Sequence, residues 1–499
     1  MNRDTESINL NQCKQKGIIM MKLNRLFAML FAMLLLASCN SGTVTETVPT
    51  ETENNTVETE KLTPLGKLEG LSFNGAPYRI AAMDKMQDDY PNYMAANDMT
   101  GELLNDTAYL RNIAVEEMFD VKLDIQFQET DGSGRGTIKA VSQSVLAGED
   151  AWDLIQFSSA HDQVAPLVEQ NMLYNILEIP YLTLDASYFY GGINDRFIIN
   201  DFLPIGFSHY NNSTNEPLYM VFNKDMMTGL GMDYPYDIIF DGDWTWDVFL
   251  SYIKGVTADM DGDGKIKYSD RHGYANVEGL TNYLVWGFGI DITERKADSS
   301  YAPSLQNEKL IDSFQRVVEF SKNNDDVWRG ASDDGTNHIF MGGNVLFSTN
   351  GTSKLNLRNI EDFDFGLAPF PKYDEKQTEY LAFTGLNQFS VPTTIQNPEM
   401  TGAVLEALSY LSEKDMTPAF LDTYVENKVL RDEESVKVMK LILANPVTDI
   451  VRYFNFADIS PVYLLSKIKD AGTVVSKIAS EEEKATQAAE EFFKIFFDN

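Results

Sequence analysis

PYRIAA (77–82), VKLDIQF (121–127) and DLIQF (153–157) are three strand-length apolar runs, and what lies between them decides the fold class. The intervals hold two helical patterns, Asp106 to Phe119 and Ile138 to Leu146. Strand, helix, strand, helix, strand is the order of a mostly parallel sheet, because parallel neighbours need a long crossover and a helix supplies one. The expected class is therefore α/β. Ligands of such sheets bind outside the carboxyl ends of the strands. That edge begins at FSSAH (157–161), where the hydroxyls of Ser158 and Ser159 can reach a polar ligand; either residue also suits a helix N-cap.

Working outward, the pattern lapses at FLPIGFSHYNNSTNE (202–216) and resumes with a strand from Leu218 to Phe222, where a second lobe begins. DWTWD (243–247) leads into a helix, with Thr245 as N-cap and the Trp pair stapling the helix to its lobe rather than stacking on a sugar. Leu280 to Ile290 carries Asn282, Tyr283 and Trp286, and a strand from Asn344 to Thr349 ends in Asn350-Gly351-Thr352. Phe383 to Val391 returns to the first lobe and leads into a helix from Met400 to Leu411. The helical remainder ends in a Glu-rich segment whose apolar stripe, at three-and-four spacing, docks on the second lobe.

DMDGDGKIKYSD (259–270) places carboxylates at its positions 1, 3, 5 and 12, Gly at 6 and an apolar residue at 8. Hard oxygens converging on one cation need this spacing, so Asp259, Asp261, Asp263, the Lys265 carbonyl and Asp270 are expected to hold a structural Ca2+. The alternative is an Asp/Gly-rich surface turn. No catalytic cofactor is expected.

The 499 residues are 43% hydrophobic and 23% charged, the balance of a globular protein of two to three domains. The formal net charge is -35, and the first 38 residues carry five Lys/Arg against two Asp/Glu, so the chain without them stands at -38. Such a surface repels phosphate backbones, and nucleic acid is not an expected partner. The 2 Cys are Cys13 and Cys39, and the 4 His are far apart, which leaves no disulfide, thiol catalyst or His-pair metal site.

Cys39 has a reading of its own. Lys22 and Arg25 precede an unbroken apolar run, Leu26 to Ala37, too short to span a bilayer, and LASC (36–39) closes it. This resembles a bacterial lipoprotein signal, which implies lipidation of Cys39 and residence at the extracellular face of the cell membrane. Residues 1–20 read as an over-extended start, 21–38 as the signal peptide and 39–62 as a flexible acidic tether.

Several stretches together resemble the extracellular solute-binding proteins of family 1, the receptors of carbohydrate ABC importers. They are GELLNDTAYLRNIAVEEMFDVKL (101–123), SVLAGEDAWDLIQ (144–156), VFNKDMMTGLGMDYP (221–235), WTWDVFLSYIKGVTADMDGDGKI (244–266), FDFGLAPFPKYDEKQTEY (363–380) and NKVLRDEES (427–435). The resemblance implies two α/β lobes, 63–213 with 375–430 and 214–374 with 431–499, joined by crossover hinge segments. It also implies a monomeric, non-enzymatic receptor that hands a small-molecule ligand, an oligosaccharide or other neutral carbohydrate, to permease subunits. The pocket it implies is Ser158 and Ser159 in the first lobe, Asn282, Tyr283 and Trp286 in the second, and Asn350 and Thr352 near the return crossing. One departure concerns a Trp pair common in relatives after a stretch like IPYLTL (179–184), where this chain has Tyr188-Phe189-Tyr190. The alternatives are a surface glycan-binding protein, a glycan-cleaving enzyme, and a receptor for peptides or other solutes. The last needs a buried charge at the cleft, for which Arg111 is the candidate, although it reads more simply as a helix-surface arginine.

Overall fold

The three opening runs form β1 (Ala76–Met83), β2 (Val121–Gln128) and β3 (Leu154–Phe157), all parallel, with Ile80 of β1 registered against Ile125 and Leu154. The computed structural model describes residues 64–83, 94–128, 136–158, 164–212, 217–275, 280–329, 339–350, 357–427 and 429–498; Cys39, Ser159 and Thr352 lie outside them, as do the signal peptide and tether. β3 is buried at every position and β2, at the sheet edge, alternates, as an inner and an outer strand should. The crossover helices are α1 (Leu103–Phe119) and α2 (Gly136–Ala147). Asp120 ends α1 in a left-handed conformation whose N–H returns to the Glu116 carbonyl, and β2 starts at the next residue.

The second sheet is built from β4 (Tyr219–Asn223), β5 (His272–Ala275), β6 (Val327–Trp328), β7 (Val345–Asn350) and β8 (Phe365–Ala368), in spatial order β8-β4-β7-β5-β6. The β7–β5 and β5–β6 pairs are parallel, whereas β4 runs antiparallel to both its neighbours. Among the helices that pack on this sheet are α3 (Trp246–Ile253) and α4 (Glu308–Asn323). Thr245 caps α3 as expected, and both tryptophans turn inward. Trp244 donates its indole N–H to the Pro369 carbonyl at 3.0 Å, and Trp246 packs edge-on against Phe288 and Phe320, each with centroids 5.1 Å apart.

The chain then returns. β9 (Gln388–Ser390) joins the first sheet antiparallel to β3, giving the order β9-β3-β1-β2. It leads into α5 (Pro398–Leu411), which packs so closely on the Pro180 carbonyl that a Cβ at Gly402 would lie 1.8 Å from that oxygen. The last helix, α6 (Val474–Lys494), buries Val474, Ile478, Ala485, Ala489, Phe492 and Phe493. Its partner includes a feature the sequence analysis does not single out, a hairpin of Thr293–Arg295 and Tyr301–Pro303, where Tyr301 meets Phe493. Leu62 to Asn499 forms one compact unit. Among the described residues, no helix is long and apolar enough to cross a membrane.

Candidate functional site

Three chain segments run side by side between the two sheets. The Leu218 N–H donates to the Phe383 carbonyl at 2.9 Å, and Ala382-Phe383 pairs in parallel with Pro446-Val447. Asn212 clasps the return segment like a strand partner: its Oδ1 accepts the Asn387 N–H at 2.7 Å, and its Nδ2 donates to the Asn387 carbonyl at 2.9 Å. The neighbouring Asn211 donates to the side chain of Gln156 in β3. Tyr453 closes the third crossing by donating its hydroxyl to the Leu386 carbonyl at 2.9 Å. Buried amides thus replace a backbone ladder where two sheets must be joined without fusing.

The site residues expected from the sequence gather at two places on this frame. Asn282, Tyr283 and Trp286 lie on a 3₁₀ helix, Leu280–Phe288, beyond the carboxyl end of β5. The Trp286 ring stacks on Phe383 with centroids 5.6 Å apart, and Tyr283 meets the same Phe383 edge-on at 5.0 Å. With Trp286 only 5% exposed, its ring packs on the crossing rather than standing open to a sugar, while its buried indole N–H has no partner among the described residues. Asn350, the last residue of β7, is buried and donates to the Tyr219 hydroxyl at 2.9 Å. Ser158 is buried directly after β3, on the other sheet.

Arg111 corrects the sequence analysis. It is 3% exposed and not on the helix surface. The pattern of α1 hid this, because its exposed positions include Leu103, Leu110 and Met118 while its buried positions include Arg111 and Asn112, so no apolar stripe marks the hidden face. The Tyr188-Phe189-Tyr190 run is also structural: Tyr188 donates to buried Glu406 at 2.8 Å, and Tyr190 stacks on His209 at 4.5 Å. Sequence reasoning missed Gln156, Tyr210, Asn211, Asn212 and Asn387. The available signal was the polar, aromatic run from Phe202, which marks where the chain crosses.

The acidic loop folds on itself through side-chain acceptors. Asp259 takes the N–H groups of Gly262 and Gly264, each at 2.7 Å, and carboxylate oxygens of Asp259, Asp261 and Asp263 come within 4.8 Å of one another. Gly262 adopts φ 74°, which the turn at that position demands. Lys267 bridges Asp261 and Asp263, and its ammonium holds the Asp261 carboxyl below the usual carboxylate range. Asp270 is set apart. Its oxygens accept the Met260 and Lys267 N–H groups at 2.8 and 2.7 Å, and these bonds hold its pKa down. Three of the expected ligands therefore converge, and a cation would enter by displacing the Lys267 ammonium.

Cavities of 390 and 570 Å³ flank the end of α6, between Ile138, Pro166, Phe454 and Phe492 and between Leu173, Asn200, Phe202 and Phe496; no expected site residue lines them.

The fold has solved counterparts. UspC of M. tuberculosis superposes with a TM-score of 0.52 at 14% identity over 83% of this chain and 100% of that one. A cyclo/maltodextrin-binding protein complexed with maltotetraose does so with a TM-score of 0.50 at 14% identity, over 86% and 98%. No curated protein matches in sequence. At these identities the likeness is one of fold, that of two-lobed binding proteins. A profile of bacterial extracellular solute-binding proteins matches residues 115–425, well over half of the sequence, and the chain belongs to that family.

Proposed function

We propose that this protein is the receptor of an ABC importer, anchored by lipid at Cys39, that clasps an oligosaccharide between its lobes and passes it to permease subunits as a monomer. The observation that carries the reading is the crossing itself: three tied segments between two sheets are the hinge that closure around a ligand requires. Sugar is the ligand class because the cyclo/maltodextrin-binding protein, which shares the fold, is complexed with maltotetraose. In this reading Ser158, Ser159, Asn282, Asn350 and Thr352 meet hydroxyls. Tyr283 offers an aromatic edge, and Trp286 contributes its unpartnered indole N–H. Asp259, Asp261 and Asp263, with the Lys265 carbonyl, take a structural Ca2+ that fixes the loop and has no part in ligand chemistry, while Asp270 closes the loop through its two backbone amides.

The test is a thermal-shift series on residues 62–499 with maltotetraose, other oligosaccharides, monosaccharides, short peptides, and calcium against EDTA. A ligand present at a hundred times its dissociation constant stabilises the native state by about 2.7 kcal/mol. A glycan that raises the midpoint and is recovered unchanged supports the receptor. A cleaved glycan, or a response to peptides alone, overturns the sugar-receptor reading. A midpoint equal in calcium and EDTA removes the metal from it.

A further inference from the structure

The carboxyl edge of the first sheet is crowded with hydrogen-bond donors. Gln156 of β3 is fully buried; its Oε1 accepts from Asn211, but its Nε2 donates to nothing among the described residues. The hydroxyls of buried Tyr210 and Ser208 are likewise unpartnered. Over the Tyr210 ring, 5.0 Å from its centroid, lies the guanidinium of Arg111, which also donates to the Ser412 hydroxyl at 3.0 Å.

Chain direction explains why these groups meet. α1 starts from the carboxyl side of β1 and ends where β2 begins, and helical side chains lean toward the helix N-terminus, so Arg111 is carried up to the carboxyl edge. Gly206 bridges Phe389 antiparallel while β9 opposes β3, so the segment from Gly206 runs with β3 and delivers Tyr210 and Asn211 to the same edge. Burial lowers the Arg111 pKa to about 10, and the group remains charged at neutral pH. Burial raises that of Tyr210 to about 12, so its hydroxyl keeps its proton to donate.

We propose that this edge receives the carboxylate of an acidic sugar, with Tyr210 and Gln156 donating to its oxygens and Arg111 supplying the positive field. The inference rests on the receptor reading and replaces the neutral ligand expected from the sequence with a uronic-acid unit. Amide N–H and guanidinium groups only donate, so the group they suit is rich in acceptors, and a carboxylate brings two oxygens in one plane. A monoanion fits better than a phosphate dianion, because a chain of net charge -35 repels the second charge as well as the first.

The experiment is calorimetric titration of residues 62–499 with glucuronate-, galacturonate- and mannuronate-containing disaccharides, their neutral counterparts, and galactose 6-phosphate. We expect one acidic disaccharide to bind at least about tenfold more tightly than its neutral counterpart, the scale of one charge-assisted hydrogen bond. Tyr210→Phe should remove about tenfold of that affinity, leave neutral sugars unaffected, and keep the unliganded melting midpoint, since the hydroxyl has no partner to lose. Arg111→Lys, which preserves charge, should retain more acidic-sugar affinity than Arg111→Met. Equal binding of neutral and acidic sugars, insensitive to Tyr210→Phe, overturns the acidic ligand and leaves the receptor standing. Preference for the phosphate overturns the carboxylate, and no binding by any sugar overturns both readings.

Discussion

Single buried groups set how this protein responds to pH. Asp449 caps the short helix Ile450–Phe454 with one oxygen, which accepts the Val451 N–H at 3.0 Å, while its other oxygen has no partner among the described residues. Burial pushes its carboxyl up to about 6 from an ordinary 3.8. A carboxyl raised in the folded state binds its proton more tightly there than in the unfolded chain. Its favourable contribution is therefore full below about pH 4 and disappears as pH rises to about 6, after which a charged group stays buried. Asp449→Asn keeps the cap and removes the charge. Two units of pKa correspond to about 3 kcal/mol, so the variant should be more stable than the parent by up to about that amount at pH 7.5 and equal to it at pH 4. Urea midpoints at the two pH values decide, and an equal gain at both would mean that charge burial is not the cause. His209 acts in the opposite sense. Burial lowers its pKa to about 4, so the stability it contributes is present above about 6.5 and is lost as pH falls toward 4. His209→Phe, which keeps a ring against Tyr190, should flatten that acid limb.

At the scale of elements, the test falls on α6. Phe492 is buried and packs on Phe454 at 5.1 Å, Phe456 at 5.7 Å and Phe493 at 5.2 Å. Phe492→Ala should cost about 3–5 kcal/mol in chemical denaturation, whereas Glu490→Gln on the exposed face should cost less than about 0.5 kcal/mol. An unchanged midpoint in Phe492→Ala would mean that the helix is not docked in solution. The stripe that buries Phe492 was legible because three-and-four spacing records which face a helix hides. The β–α–β order of the first sheet was legible for a similar reason, and the return strand was legible because Phe389 and Val391 alternate with Ser390 and Pro392 closes the run ahead of the next helix. The hairpin at Thr293–Pro303 was not, because its strands are three residues each, too short for alternation to register, and one of them, Thr293–Arg295, is wholly polar. The site was less legible than the fold. Asn212 and Asn387 are 175 positions apart and their pairing is purely tertiary; Arg111 sits in a helix that exposes Leu110 and Met118 and buries Asn112, so spacing does not reveal which face is hidden. The acidic loop shows the limit of spacing, which brought Asp259, Asp261 and Asp263 together but left Asp270 committed to two backbone amides.

For the whole molecule, size and connectivity pull in opposite directions. Beyond about 250–300 residues a chain usually divides its core between independent domains, and two sheets joined by a hinge invite that division. Here one continuous hydrophobic cluster contains Tyr78 and Ile155 of the first sheet, Phe222 and Phe347 of the second, and Phe383 and Tyr453 on the crossings. α6 extends this continuity: Phe496, just past its end, packs on Phe202 in the run leading to the first crossing, and Phe493 packs on Tyr301 in the hairpin. Neither sheet can lose its structure without exposing apolar surface that the other also covers, and an intermediate with one lobe unfolded should be too costly to populate. Denaturation of residues 62–499 should therefore be a single transition. Of the 5 tryptophans, only Trp152 belongs to the first sheet's surroundings, so fluorescence reports mainly on the second sheet, while far-UV circular dichroism reports on the helices of both. The two curves should coincide, and the slowest-exchanging amides of β1 and β7 should open with the same free energy. If fluorescence changes at a different denaturant concentration from the dichroism, or β1 exchanges through a cheaper opening than β7, the lobes are independent units. The crossings would then act as a linker, and ligand binding would have to hold the lobes together rather than only close them.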